Sequence, residues 1–368
     1  MEESRKHFVL VHGACHGAWC WYKVKPVLER AGHQVTALDL AASGINSKNH
    51  LDVSTLSEYS EPLIKFLESL AEREKVILVG HSLGGMNIAF AAEKFPEKIS
   101  TAVFLTAFMP DSSHQPSYVI EKYFEKTPME EFMDSEFTFD EGEKVASSVF
   151  LGPKYLSSKL YQLSPMEPQL FGDTPRVVVI TSGKGGVGKT AAAAAATNVG
   201  LSLARLGFSV VAIDVDIRLC NLDLLLGLED RVNYTTVEVL NSDCRLDQAL
   251  VRDKRWSRRR RRLWPRQWRQ IEDEELALAT MLVRVGPFMG KYLSNVANKF
   301  SEEKYGSVGR VYVVCKDDKI ISESIQLWMT RNYTVKEVIE IEGADHMPMF
   351  SAPQDLCRAL IHIARMHA

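Results

Sequence analysis

The sequence predicts an α/β fold in which short apolar β runs end in loops carrying catalytic side-chain types, and three observations carry that expectation. Val76-Ile77-Leu78-Val79 feeds straight into Gly80-His81-Ser82-Leu83-Gly84. Two later apolar runs, Arg310 to Cys315 and Val335 to Ile341, are followed by Asp317-Asp318 and by Asp345-His346. An N-terminal run, His7 to Val11, is followed by His12-Gly13-Ala14.

The first of these names a nucleophile. A G-x-S-x-G turn between a strand and a helix holds a serine Oγ clear of the backbone, and its glycines give the turn room where a Cβ would clash. A chance match in a loop is disfavoured, because β-forming sequence precedes Ser82 and the helical run Met86 to Ala92 follows it. Activation needs a base and a carboxylate, which α/β-hydrolases place in the chain order Ser, Asp, His. His346 stands after the last strand as the base, and position alone leaves Asp317 and Asp318 open as the acid. The backbone N–H of Ala14, together with that of Leu83, is the candidate oxyanion hole. The strand Gln34 to Leu38, ending at Asp39, supplies the expected spacing between the two turns.

The segments HFVLVHGACHGAWCWYKVKPVLERAGHQVTALDLAASG, KVILVGHSLGGMNIAFAAEKFPEKI, VYVVCKDDKIISESIQLWMTRN and IEGADHMPMF resemble the plant methylesterase family, which shares its fold with plant hydroxynitrile lyases. The resemblance covers roughly residues 5 to 166 and 271 to 368. It implies an α/β-hydrolase core with a helical cap, and hydrolysis of small methyl esters of the methyl salicylate, methyl jasmonate or methyl indole-acetate type. It assigns Ser82, Asp318 and His346 as the triad, Ala14 and Leu83 as oxyanion donors, and no cofactor. The lyase branch typically carries threonine where Gly13 stands and lysine where Met347 stands, so ester hydrolysis is expected and cyanohydrin cleavage is not.

Composition fits a cytoplasmic enzyme acting on a small-molecule substrate. The net charge is −3, with 25% charged and 46% hydrophobic residues, and the start of the chain lacks the pattern of a secretory signal. No stretch is apolar enough to span a bilayer, so no membrane partner is expected. The six cysteines show no metal-binding spacing and read as reduced thiols.

Residues 167–257 interrupt this pattern. A β-branched run, Val177 to Thr181, precedes Ser182-Gly183-Lys184-Gly185-Gly186-Val187-Gly188-Lys189-Thr190, which fits G-x-x-x-x-G-K-[ST]. In such a loop backbone N–H groups wrap phosphate oxygens, the lysine at Lys189 reaches the outer phosphates, and the hydroxyl at Thr190 ligates Mg²⁺. The insert resembles the N-terminal third of the septum-site ATPase MinD, which implies a signature role for Lys184 and a switch role for Asp216. Ala191 replaces a usual threonine, Arg218 and Cys220 replace a usual Gly and Arg, and the likeness ends near Ser257, before any Walker-B carboxylate. ATP and Mg are therefore expected at most as a residual site, without turnover.

The expected division is hydrolase core over 1–110, cap over 111–166, a truncated P-loop insert over 167–257, an Arg-rich seam over 258–270, cap again over 271–305 and core over 306–368. Tyr161 to Ser164 and Glu274 to Met281 read as consecutive cap helices, so the insert leaves from a surface connection, where lengthening a loop costs only about 0.6 kcal/mol per doubling. The seam, Arg258 to Arg269, reads as a solvated junction, and no nucleic-acid partner is expected. Both families commonly form dimers, which makes a homodimer an expectation. Two other readings stay open: a nucleotide-binding division-site module, and a fusion in which neither part works.

Overall fold

Residues 5–139, 146–164, 283–287 and 299–367 are described by the computed structural model. The P-loop, the switch position Asp216, the Arg-rich seam and Glu274 to Met281 lie outside them. The described residues belong to one unit, made of residues 1–167 and 271–368.

The unit is organised around a six-stranded sheet of β1 (His7–Val11), β2 (Gln34–Leu38), β3 (Val76–His81), β4 (Ile99–Leu105), β8 (Arg310–Cys315) and β9 (Glu337–Ile341), ordered β2-β1-β3-β4-β8-β9. Every pairing is parallel. All side chains of β1, β3 and β8 are buried, which is why these strands read as unbroken apolar runs rather than alternating ones. The edge strand β9 alternates, with Val338 partly exposed and Ile341 buried.

Helices cover both faces. Helix α1 (Val24–Arg30) packs against the terminal helix Pro353–His367, which buries Leu356, Leu360 and Ile363. Helix α2 (Leu56–Tyr59) is capped by the Thr55 side chain, α3 (Glu61–Ser69) buries Leu63 and Leu67, and α4 (Gly84–Lys94) is buried over most of its length. The chain runs from β1 out to β2 and then crosses back to β3 on the other side of β1. This reversal opens a crevice at the carboxyl ends of β1 and β3, where ligands bind in open α/β sheets.

The described part of the cap corrects the expectation of a helical cap. It holds α5 (Tyr118–Lys126) and also a three-stranded antiparallel sheet of β5 (Glu136–Phe139), β6 (Ala146–Phe150) and the short β7 (Gly286–Pro287). The chain therefore returns after the insert to pair with cap sequence that precedes it, through Ser148 with Pro287 and Val149 with Gly286. Just before β7, the Arg284 N–H donates to the Cys15 carbonyl at 3.0 Å, and its guanidinium to Gly44 and Asn46 carbonyls. Tyr161 to Ser164 is a turn, not a helix. Ser164 precedes Pro165, which disfavours α geometry, and the Leu163 N–H is taken by the Asp345 carboxylate. The helical residues lie earlier, in Pro153–Tyr155 and the wide turn Leu156–Leu160.

Candidate active site

Ser82 sits at φ +53°, a left-handed conformation that costs a non-glycine residue energy and marks the strand-to-helix elbow. The flanking glycines explain how the turn is tolerated. A Cβ on Gly80 would lie 2.7 Å from the Gly84 carbonyl oxygen, and one on Gly84 would lie 2.6 Å from that of His12. The elbow is pinned from both sides, the Ser82 N–H donating to Leu105 and the Ser82 carbonyl accepting from Gly85 and Phe108.

From this turn the Ser82 hydroxyl reaches His346 Nε2 at 2.9 Å, and His346 Nδ1 reaches Asp318 Oδ2 at 2.7 Å. The three residues come from the loops after β3, β8 and β9 and are buried. The second Asp318 oxygen accepts N–H bonds from Ile320 at 2.6 Å and Ile321 at 3.1 Å, so the carboxylate is held in one orientation. Asp317 faces elsewhere: its side chain accepts from the Gly343 N–H at 3.0 Å. The geometry thus distinguishes two aspartates that position in the sequence left equivalent. With its Nδ1–H committed to Asp318, the imidazole presents a lone pair at Nε2, the tautomer required to take a hydroxyl proton.

Thr106 was not legible as a site residue. It follows β4, adopts φ +35°, and its hydroxyl donates to the Asp318 oxygen that faces His346. No sequence motif marks it; a strained residue at the end of a buried strand beside the elbow is its only signal.

The residues expected to supply the oxyanion donors are Ala14 and Leu83. Both border the cavity over Ser82. Neither N–H has an acceptor among the described residues, which leaves two backbone donors open at the crevice. Three neutral histidines brace the surrounding turns. His12 accepts from the Leu40 N–H at 3.1 Å and bonds the Gly13 carbonyl at 2.8 Å. His16 bonds the Ala14 carbonyl and Tyr161 hydroxyl, each at 2.7 Å. His81 donates from Nε2 to the His346 carbonyl at 2.6 Å. Burial is the first cause that depresses all three pKa values, bringing His16 down to about 4. Gly13 packs so closely that a Cβ there would lie 2.9 Å from Ser82 Cβ and 3.0 Å from His81 Nδ1.

Above Ser82 the cavity is walled by apolar and aromatic side chains, with Phe108, Tyr123, Phe132, Leu151, Tyr155 and Leu160 among them. Among the described residues no Lys, Arg, Asp or Glu lines it. Phe132 is the hub of its wall, stacking on Phe124 and Tyr155 and meeting Phe137 edge-on. Met347 is fully buried and brings no ammonium to the site. Among the described residues no group of His, Cys, Asp and Glu could hold a metal ion, and no helix is long and apolar enough to cross a membrane. The candidate phosphate-loop residues Gly183 to Thr190 lie outside the described residues.

A serine at a strained elbow, addressed by a buried His–Asp pair at the switch point of a parallel sheet, defines a serine hydrolase of the α/β-hydrolase class. A family model described as alpha/beta hydrolase fold matches residues 6–185. Methylesterase 1 of Arabidopsis thaliana is 40% identical, with 99% of this chain and 98% of that protein covered. Salicylic acid-binding protein 2 of Nicotiana tabacum is 39% identical with 98% of each covered. The crystal structure of polyneuridine aldehyde esterase is 32% identical at a TM-score of 0.66, covering 98% of this chain and 100% of that one. The chain belongs to the methylesterase family of α/β-hydrolases and is a carboxylic ester hydrolase; such chemistry needs no cofactor. A second family model, described as NUBPL iron-transfer P-loop NTPase, matches residues 173–243.

Proposed function

We propose that this protein hydrolyses methyl esters of small, largely apolar acids, with Ser82 as nucleophile, His346 as general base then acid, and Asp318 as the carboxylate that holds it. The observation that carries this is the continuous hydrogen-bond line from Ser82 through His346 to Asp318, opening on a cavity whose described lining is largely apolar and aromatic. His346 Nε2 takes the serine proton as Oγ adds to the ester carbonyl, and the Ala14 and Leu83 N–H groups receive the oxyanion. The imidazolium, steadied by Asp318, then protonates the departing methoxide, and methanol leaves the acyl-enzyme. Water repeats the sequence through the same base and releases the acid.

The apolar and aromatic side chains among the described lining residues favour an aryl or cyclic acyl group, as in methyl salicylate, methyl jasmonate or methyl indole-acetate. Relatives named for methyl-ester and salicylate chemistry point the same way. The test is methanol release across these esters by the purified protein and by its Ser82→Ala variant. Turnover by the variant at the unmodified rate would refute the serine mechanism.

We infer secondly that residues 183–190 are a remnant phosphate-binding loop of a MinD-like insert spanning 167–257. The support is the G-x-x-x-x-G-K-T pattern and the P-loop family match over 173–243. Weak nucleotide binding lost in Lys189→Ala, without phosphate release, is the expected result. Steady ATP hydrolysis abolished by Lys189→Ala would show a working ATPase.

A further inference from the structure

Three consecutive cap residues each bond a different loop of the site. The Tyr161 hydroxyl donates to His16 Nε2 at 2.7 Å, on the turn that presents the Ala14 N–H. The Gln162 side-chain amide donates to the Asp317 carbonyl at 2.6 Å, on the loop that carries Asp318. The Leu163 N–H donates to Asp345 Oδ2 at 2.8 Å, next to His346. From these bonds we propose that Tyr161-Gln162-Leu163 is a positioning strap that fastens the cap to the oxyanion, acid and base loops together, so that cavity wall and reacting groups are held in one register.

The partners are built to receive it. Asp345 is completely buried with no cation bonded to it among the described residues, and its other oxygen accepts from the Met347 N–H at 2.9 Å and the Ser351 hydroxyl at 2.7 Å. Three donors satisfy a buried carboxylate here, so losing the one from Leu163 leaves it short of a partner. His16 is similarly committed. Its Nδ1–H donates to the Ala14 carbonyl, which leaves Nε2 as an acceptor for the Tyr161 hydroxyl alone. Tyr161 also lies against Phe350, and its ring runs parallel to that of His16, so the first strap residue is wedged as well as bonded. The segment follows directly on Leu156–Leu160, whose Leu160 lines the cavity. A shift of the strap therefore moves the wall and the loops as a unit. The side chain of Leu163 is partly exposed and needed for none of this; only its backbone N–H takes part.

This rests on the ester-hydrolase reading for its kinetic arm and is independent of it for its structural arm. In the kinetic arm, Tyr161→Phe and Asp345→Asn are measured alone and combined on a cap-filling methyl ester. The strap predicts losses in kcat/KM of about fivefold and about thirtyfold, with the double variant close to the worse single one, because one strap is released in each case. Leu163→Ala, which keeps the N–H, should behave as the parent, and Leu163→Pro, which removes it, should match Asp345→Asn. In the structural arm, amide exchange is followed in a Ser82→Ala background. Tyr161→Phe should speed exchange at Leu163, although its own partner is His16. Multiplying losses in the double variant, or unchanged exchange at Leu163, would overturn the strap. If the exchange arm succeeds while no ester is turned over, the strap stands and the function reading fails.

Discussion

The sheet-borne loops and the cap meet over the same cavity, yet they are built from opposite materials. The loops are polar and closed: each oxygen of Asp318 has donors, His346 is bonded at both ring nitrogens, and His81 holds its carbonyl. The cap wall is an aromatic cluster around Phe132, held by packing and by the strap at its edge. Directed hydrogen bonds in a water-poor site fix where charge develops, whereas apolar contact fixes only shape and tolerates exchange of similar volumes. The reaction should accordingly be set by the loops and the choice of acid by the cap.

The largest effect that could break this division is loss of the nucleophile. Ser82→Ala and His346→Ala should each lower kcat by about a million-fold, and Asp318→Asn by about ten thousand-fold, judged by methanol release under saturating ester. A Phe132→Ala loss of comparable size would mean that the cap takes part in the chemical step.

Next in size is crowding of the oxyanion turn. Gly13→Thr would drive a Cβ against Ser82 and His81, and misplacement on that scale should cost about a hundredfold in kcat. The parent protein should release no cyanide from mandelonitrile above background, since neither Gly13 nor Met347 offers a hydroxyl or ammonium. Cyanide release by the parent would reopen the lyase reading.

A cap change should give a smaller and different signature. Phe132→Ala should raise KM about tenfold with kcat nearly unchanged, because it removes apolar contact equally from the ground and transition states. Substrate preference should shift towards bulkier acids at the same time. A fall in kcat alone would contradict the division.

A separate effect falls on stability rather than on rate. His16 titrates near 6.5 when unfolded and at about 4 in the fold, so between these values only the unfolded chain takes up the proton. Stability contributed by neutral His16 is present above about 6.5 and is lost as the pH falls towards about 4, on the order of 3 kcal/mol. The melting temperature should drop across that window, less steeply in His16→Gln. Equal slopes would assign the acid sensitivity to His12 and His81 instead.

Local sequence was enough to mark the strands β1, β3 and β8, the elbow at Ser82, the histidine His346 that bonds it and the turn at Ala14. Those signals are local: a buried parallel strand is an apolar run, and the elbow needs its glycines within two residues of the serine. Tertiary structure decided the rest. Asp317 and Asp318 are chemically alike and adjacent, and only the course of the chain after β8 turns one to His346 and the other to Gly343. Thr106 matters because β4 lies beside β8, which no motif announces. Tyr161 to Ser164 carries a helical pattern and is nevertheless a turn, since its bonds run to His16, Asp317 and Asp345, which stand 145, 155 and 182 residues away along the chain. Short-range sterics can be read from neighbouring letters; partners separated by that much chain are chosen only when the sheet brings their loops together.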